Sequence, residues 1–271
     1  QQMGQALDIH TEKGDFQSVG ELLDDYIRHL GEKPRYIRTG LSKLDENLHL
    51  VPGNYFVIGG RPSAGKTALS LQLAAGMAKQ GKRVCYFSLE TDPATLQARL
   101  IANQLYAPLS AVKNKTLSIN ELDRLADMKR WPLYIRSAAG KGVAWIKAQA
   151  LRMKADIIFV DYLQLIHERG SSDRYNAITE ISIALHELAQ TTGILVVALA
   201  QLNRNAARAE PSNADLRESG QIEQDADAIL LLSADGDTYF SRLTKNKEGR
   251  VGNAGLEFDK MTQRFTCVTA N

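Results

Sequence analysis

The sequence predicts an α/β fold in which a mostly parallel central sheet is flanked by helices and carries an antiparallel C-terminal edge. Between residues 54 and 226, near-continuous apolar runs alternate with longer segments of helical periodicity, as in parallel strands covered on both faces. After residue 226, short apolar runs are separated only by turns, which favours antiparallel strands at one edge of the sheet.

Apolar runs predict strands at residues 55–58, 83–89, 133–136, 157–160, 194–198, 229–232, 238–244, 255–258 and 264–268. Between them, residues 66–80 have helical periodicity and end at Gly81. Asp92 followed by Pro93 predicts the start of another helix, and the capping box from Ser118 to Glu121 predicts a third.

An amphipathic helix is predicted near the N-terminus, at about residues 18–30. Ser18 and Glu21 form a capping box, and Gly31 ends the apolar periodicity. We therefore divide the chain into an N-terminal segment, 1–35, and a main domain, 36–271. The apolar face of the helix either packs on its own domain or docks on a neighbouring subunit, and the helical pattern does not decide between these.

The composition limits the classes of function. The 271 residues are 44% hydrophobic and 24% charged, as in ordinary globular proteins. Without a run of 18 apolar residues or a signal-peptide pattern, we expect no membrane association and a cytoplasmic location. Cys85 and Cys267 lie far apart, and no metal-ligand spacing accompanies them. The net charge of +2 excludes a global basic field, so nucleic-acid binding would need a local basic strip.

A phosphate-binding loop lies between the first predicted strand and the helix that follows it. Residues 60–67 match G-x-x-x-x-G-K-[ST], a loop whose backbone N–H groups converge on phosphate oxygens. Lys66 is expected to reach the β- and γ-phosphates and Thr67 to ligate Mg²⁺. The predicted nucleotide contacts are Gly60, Ser63, Ala64, Gly65, Lys66, Thr67 and Ala68.

Three polar side chains at strand ends complete the predicted site. Asp161 follows a buried strand and is expected to hold Mg²⁺, although an Asp there could instead cap the next helix. Glu90 is expected to orient or deprotonate the attacking water, and Gln201 to sense the γ-phosphate. Either one alone could be an ordinary strand-terminal polar group, but with Lys66 and Asp161 they form a coherent set.

Five segments together resemble the signature motifs of the DnaB-family replicative helicases. They are GGRPSAGKT, YFSLE, IIFVDYLQLI, ALAQLNR and DLRESGQIEQDADAILLL, and the resemblance runs from about Tyr36 to the C-terminus. It implies a RecA-like P-loop ATPase that binds ATP or ADP with Mg²⁺. It also implies a homo-oligomer, a hexameric ring that encircles single-stranded DNA and moves 5′ to 3′. Primase and a helicase loader are the implied partners of a full-length protein.

The resemblance also assigns roles to individual residues. Lys66 and Thr67 bind nucleotide and Mg²⁺, Asp161 holds the metal, Glu90 is the catalytic base, and Gln201 couples the γ-phosphate to the DNA loops. Helix 18–30 resembles the linker helix that packs on the adjacent subunit. The expected DNA contacts are Arg217, Glu218 and Gly220, and the basic strip adds Arg204 and Arg208. Without the resemblance, a solvated polar loop would be slightly favoured for residues 202–221.

One motif departs from the family. The family's K-x-R-x-G stretch places a Lys and an Arg in the neighbouring subunit's ATP site, and here Lys245 matches while Lys247 stands at the arginine position. Because a point-charge ammonium does not replace a planar guanidinium, either Lys247 serves less well or Arg250 reaches in instead. Two other functions stay open: a RecA-like ATPase that forms filaments, and a nucleotide-gated assembly module with negligible turnover.

Overall fold

The computed structural model describes residues 18–32, 36–167, 174–202, 212–216, 220–235 and 238–268. The chain divides into two compact units, Gln1–Arg35 and Tyr36–Asn271. In the first unit, helix α1 (Val19–Arg28) begins with the predicted capping box, in which Ser18 Oγ accepts from Glu21 N and Glu21 Oε2 accepts from Ser18 N. The apolar side chains of this helix are all exposed.

The second unit is built on an eight-stranded sheet and a separate two-stranded hairpin. The strands are β1 (Tyr55–Gly60), β2 (Val84–Ser88), β3 (Leu133–Ser137), β4 (Ile157–Asp161), β5 (Leu195–Gln201), β6 (Ala228–Asp235), β7 (Thr238–Asn246), β8 (Gly252–Asn253), β9 (Leu256–Asp259) and β10 (Arg264–Cys267). The large sheet has the order β3-β2-β4-β5-β1-β6-β7-β8, and β9 pairs with β10. Strands β1 to β6 are mutually parallel, whereas β7 and β8 are antiparallel, so the predicted fold class is confirmed.

Helices cover both faces of the sheet. They are α2 (Ser42–Asp45), α3 (Lys66–Lys79), α4 (Pro93–Leu105), α5 (Leu109–Lys113), α6 (Ile119–Met128), α7 (Val143–Arg152), α8 (Arg174–Thr192) and α9 (Gly220–Asp225). Asp92 caps α4 through Thr95 N, and Ser118 with Glu121 caps α6, as the sequence predicts. Within the described ranges, no helix has the combined length and hydropathy that a membrane crossing needs.

Two apolar cores form because successive residues of a strand point to opposite faces of the sheet. Phe56 and Ile58 pack with α3 in one core, and Tyr55 and Val57 pack with α8 in the other. Strands β1, β2 and β4 are buried throughout, which explains their uninterrupted apolar sequences.

The pairing of the C-terminal strands differs from the prediction, which placed the strands after residue 226 at an antiparallel edge. Strand β6, which begins the region of short turns, pairs in parallel with β1 and antiparallel with β7. Its residues from Ala228 to Leu232 are buried, as expected for a strand with neighbours on both edges. The antiparallel part of the large sheet therefore begins at β7, and β9 and β10 form a hairpin of their own.

Candidate active site

A cavity of about 680 Å³ lies where the carboxyl ends of β1, β2, β4 and β5 meet the start of α3. Ligand sites of open parallel sheets lie at this edge. The residues around the cavity come from the loop between β1 and α3, from the start of α3, from strand ends, from α4 and from the β9–β10 hairpin. They are Pro62, Ser63, Gly65, Lys66, Thr67, Ala68, Glu90, Thr91, Arg99, Asp161, Tyr162, Gln201, Phe258, Lys260 and Gln263.

The loop between β1 and α3 has a backbone conformation at Gly65 that favours glycine. Gly65, the N-cap of α3, has φ of 84°, a left-handed conformation that costs a glycine little. A Cβ at this position would lie 2.9 Å from Cζ of Phe265. Ser63, Gly65, Lys66, Thr67 and Ala68 of the predicted nucleotide set line the cavity. Gly60 and Ala64, the other two, are buried beside it.

The ammonium group of Lys66 is held close to its own loop. Its Nζ donates to the carbonyl oxygens of Gly60 (2.7 Å) and Arg61 (3.0 Å). Burial lowers the pKa of Lys66 to about 8, although the carboxylates of Asp161 and Glu90 act in the opposite direction. A partly buried cation close to a helix N-terminus is suited to bind a polyphosphate anion.

Asp161 and Thr67 meet across the cavity and offer the oxygen ligands that Mg²⁺ prefers. Thr67 Oγ1 donates to Asp161 Oδ2 at 2.9 Å, and the phenol of Tyr86 donates to the same oxygen at 2.9 Å. Burial raises the pKa of the Asp161 carboxyl, while the hydrogen bonds from Tyr86 and Thr67 and the charge of Lys66 act to lower it. The donor set therefore fits a divalent cation held between the P-loop and β4.

Glu90 and Gln201 reach the same cavity from two different strands. Glu90 follows the end of β2, and Gln201 is the last residue of β5. The main chain of Gln201 lies beside the P-loop strand, since Leu202 N donates to Gly60 O at 3.1 Å. The structure thus brings Lys66, Thr67, Asp161, Glu90 and Gln201 together around one cavity.

Residues of the β9–β10 hairpin line the cavity, and sequence reasoning missed them. Phe258, Lys260 and Gln263 lie almost 200 residues after the P-loop, and no motif marks them. The hairpin is held to α3 by Gln72, whose side-chain amide donates to Phe265 O and accepts from Phe265 N, both at 2.8 Å. The sequence signal for this contact is a glutamine placed between apolar residues of α3, with Leu71 before it and Leu73 after it.

Lys245 and Lys247 lie at the opposite end of the sheet from the cavity of their own chain. Asn246 pairs with Ala228 at the start of β6, whereas the P-loop follows the end of β1. Lys245 Nζ donates to the carbonyl oxygens of Glu223 and Gln224 in α9, and Lys247 Nζ lies 2.7 Å from Asp227 Oδ1.

The predicted DNA contacts fall mostly outside the described residues. Arg204, Arg208, Arg217 and Glu218 belong to segments that the structure does not describe. Gly220 is described and begins the short helix α9, and Leu216 before it is buried. The DNA-binding role of this region therefore stays a prediction.

Comparison with known proteins identifies the relatives of this fold and site. Residues 36–267 match the family model described as the DnaB-like helicase C terminal domain. A curated relative, the replicative DNA helicase DnaB of Treponema pallidum (strain Nichols), is 36% identical over an alignment 276 residues long, and the match covers 93% of this chain and 62% of the relative.

Two solved structures have a similar fold. The ATPase domain of G40P superposes with a TM-score of 0.86 and 28% identity over 94% of this chain and 100% of that domain. A DnaB-like replicative helicase, described together with its interactions with primase, superposes with a TM-score of 0.84 and 27% identity over 94% of this chain and 69% of its own. The chain thus spans less than two thirds of the curated relative and the whole of one solved ATPase domain.

Proposed function

Because the chain belongs to the family of DnaB-like helicase C terminal domains, we propose that it is the ATP-hydrolysing motor of a replicative DNA helicase. The motor translocates 5′ to 3′ on single-stranded DNA and unwinds duplex DNA ahead of it, and it works in the cytoplasm. The observation that carries this proposal is the convergence of Lys66, Thr67, Asp161, Glu90 and Gln201 on one cavity.

ATP is the substrate that this cavity suits. The P-loop from Gly60 to Ala68 surrounds the phosphates, and Lys66 neutralises the β- and γ-phosphoryl oxygens. Thr67 and Asp161 hold Mg²⁺, which would supply Lewis-acid stabilisation of the charge that develops on the phosphates. Tyr86 fixes the Asp161 carboxylate from the other side through its 2.9 Å hydrogen bond.

Glu90 is the residue that we propose as general base for the attacking water. It reaches the cavity from the end of β2, beside the strand that carries Asp161. Gln201 contacts the γ-phosphate and passes its presence or loss to the segment after β5. That segment and the residues up to Gly220 contain the proposed DNA contacts Arg204, Arg208, Arg217 and Glu218. Contacts to phosphates through Arg and main-chain N–H groups bind DNA with little dependence on sequence.

The site is completed by a neighbouring subunit of a homo-oligomer, for which we propose a hexameric ring. Lys245, Lys247 and Arg250 lie far from the cavity of their own chain, as residues that act in a neighbour's site must. In a ring, six copies supply the concentrated positive field that a net charge of +2 does not.

Helix α1 is the element that we propose for docking between subunits. Its apolar side chains are between 51% and 72% exposed, and a contiguous exposed apolar face of this kind is typical of an interaction surface. An apolar groove of about 560 Å³, formed by α4, α6 and β3 and lined by Leu100, Met128 and Trp131, suits such a helix from a second copy.

Primase and a helicase loader are the further partners that we propose for the longer protein. One of the similar solved structures is a DnaB-like replicative helicase described with its interactions with primase. This chain covers 69% of that structure, and we propose the primase and loader contacts for the full-length context.

The proposed function is tested by ATPase and unwinding assays on one set of samples. We expect steady-state ATP hydrolysis that rises cooperatively with protein concentration, rises again with single-stranded DNA and is lost in Lys66→Ala. Unwinding of a forked duplex is expected only when the fork carries a free 5′ single strand. ATP binding without DNA-stimulated turnover would instead support a nucleotide-gated switch, and turnover without unwinding would support a filament-forming ATPase.

A further inference from the structure

We infer that Gln164 is a positioning residue of this ATPase site. Its side chain holds the main chain of Gln201, so that the Gln201 side chain keeps its place at the nucleotide. The inference rests on the proposed function, because it concerns how Gln201 couples the nucleotide to DNA. It is carried by a pair of hydrogen bonds and by the place where the pairing between β4 and β5 stops.

The side-chain amide of Gln164 pairs with both main-chain groups of Gln201. Gln164 Nε2 donates to Gln201 O at 3.1 Å, and Gln201 N donates to Gln164 Oε1 at 3.1 Å. A glutamine side chain carries one amide group, and here its donor and its acceptor are both used on one residue. The amide therefore makes the two hydrogen bonds that a peptide group of a neighbouring strand would make.

This pairing begins where strand β4 can no longer supply partners. The register of β4 against β5 ends at Val160 and Ala198, because the chain enters a short 3₁₀ helix, Leu163–Leu165, soon after Asp161. On its other edge β5 continues to pair with β1 as far as Gly60 and Gln201. Without Gln164, the main chain of Gln201 would be held on the β1 side alone.

Gln164 links the metal-holding end of β4 to the last residue of β5. It lies three residues after Asp161, whose carboxylate accepts from Thr67. Gln201 is followed by Leu202, whose N–H donates to Gly60 O, and that oxygen also accepts from Lys66. The main chain of Gln201 is thus fixed between the metal site and the P-loop, at the point where β5 leads into the proposed DNA-contacting segment.

Loss of this contact should alter turnover more than nucleotide binding. The groups proposed to bind phosphate and Mg²⁺ lie on the P-loop and at the end of β4, whereas the side-chain amide of Gln164 is hydrogen-bonded to the main chain of Gln201. If Gln201 is displaced, those groups keep their positions, but DNA binding stimulates hydrolysis of the bound nucleotide less. A kcat that falls at nearly constant KM marks an interaction that matters in the transition state.

The test compares Gln164→Leu, Gln164→Glu and the control Gln190→Leu in the full chain. Gln190 is an exposed glutamine on α8. For Gln164→Leu we expect kcat with single-stranded DNA to fall about tenfold or more, while KM for ATP and the Kd for ADP change by less than about twofold. In Gln164→Glu the carboxylate, which is ionised at neutral pH, cannot donate to Gln201 O, so its kcat should fall as in Gln164→Leu while KM for ATP stays nearly constant.

Four outcomes separate the alternatives. A kcat-selective loss in both Gln164→Leu and Gln164→Glu, with Gln190→Leu unchanged, supports the inference. A Gln164→Leu protein that keeps wild-type DNA-stimulated turnover would overturn it and leave the proposed function intact. A variant whose only change is a lower urea midpoint would assign Gln164 a structural role and would also overturn it. A wild-type protein without DNA-stimulated turnover would overturn the proposed function and this inference with it.

Discussion

Lys247 and Asp227 form an ion pair within one chain, with 2.7 Å between Nζ and Oδ1. The other oxygen of Asp227 accepts the N–H of Tyr55 at 2.7 Å, and Lys247 N donates to Asp227 O at 2.9 Å. Asp227 is buried, so the ammonium of Lys247 neutralises a carboxylate that would otherwise be uncompensated. Moving this ammonium to a neighbour's phosphate would leave that carboxylate unpaired.

Arg250 is the cation of the same turn that is better placed to reach a neighbour. Asn246 Nδ2 donates to Asn47 O (2.7 Å) and to Arg250 O (3.1 Å), which fixes the turn against the segment before β1. A Cβ at Gly249 would lie 2.0 Å from Asn47 O, so the turn needs this glycine for its close approach. The guanidinium of Arg250 is exposed on this anchored base.

We therefore predict that Arg250→Ala lowers DNA-stimulated kcat about 100-fold or more, toward the range that arginine fingers contribute. Lys247→Ala should lower the same kcat less than about tenfold. Mixing Arg250→Ala with Lys66→Ala subunits should restore part of the activity. Each mixture contains interfaces with an intact P-loop from one subunit and an intact Arg250 from the other. Circular dichroism of each variant checks the fold, since Lys247→Ala leaves Asp227 unpaired. The reverse order of the two losses would make Lys247 the trans-acting cation.

Substitution of Glu90 should lower turnover, whereas substitution of Asp161 should lower the affinity for nucleotide. Glu90→Gln removes the proposed base, so we expect kcat to fall about 10²- to 10⁴-fold while ATP still binds. Asp161→Asn should instead remove most of the Mg²⁺-dependent part of the affinity for ATP. Both are measured by turnover and by nucleotide titration with and without Mg²⁺, with Glu187→Gln, an exposed carboxylate on α8, as the control. Equal losses of binding in both variants would argue against the assignment of Glu90 as base.

The lowered pKa of Lys66 predicts how nucleotide affinity depends on pH. With a pKa of about 8 in the free protein, Lys66 is charged at pH 7 and loses its charge above pH 8. Bound phosphates favour the charged form, so the affinity for ADP should fall by up to about tenfold per pH unit above 8. The measurement is an ADP titration without divalent cation between about pH 6.5 and pH 9.5. Lys66→Arg, whose charge persists over this range, should show no such fall.

The parts of the fold and site that the sequence predicted are those that depend on local pattern. Ser18 with Glu21 and Asp92 with Pro93 fix helix starts through contacts three residues away or less, and the P-loop is one continuous segment. Asp161, Glu90 and Gln201 were found because each ends an apolar run, and parallel strands bring such ends to one edge.

The contacts that sequence reasoning missed join segments far apart in the chain. Gln164 and Gln201 are separated by 37 residues, and Gln72 and Phe265 by 193. Strand β6 begins the region of short turns, and its parallel direction follows from its pairing with β1, more than 160 residues earlier in the chain. Pairing between distant segments is set by how the whole chain packs, which no window of sequence contains.

Gln72 should stabilise the second unit by joining the hairpin to α3. Its amide is buried, and Asn103 Nδ2 also donates to its Oε1 at 2.9 Å. Gln72→Leu leaves Phe265 N and O without these partners, which should lower the free energy of unfolding by about 2–4 kcal/mol. Gln80→Leu removes an exposed amide from the end of the same helix and should cost less than about 0.5 kcal/mol. Urea denaturation followed by circular dichroism measures both, and similar losses would mean that the buried contact contributes little.

The apolar face of α1 should determine the concentration at which the protein assembles. Leu23 is 54% exposed on this face, and burial of one Leu side chain at an interface contributes about 1.5–3 kcal/mol. Leu23→Asp should therefore raise the protein concentration at half-maximal assembly about 10- to 100-fold. Asp24→Asn, a change of an exposed acidic residue in the same helix, should shift it by less than about threefold, since exposed ion pairs contribute little. Sedimentation velocity over a concentration series gives both midpoints, and the ATPase activity should follow the same shift if a neighbouring subunit completes the site, as we propose. An unchanged assembly midpoint in Leu23→Asp would show that α1 does not dock between subunits, and the neighbouring contact would then have to come from the second unit itself.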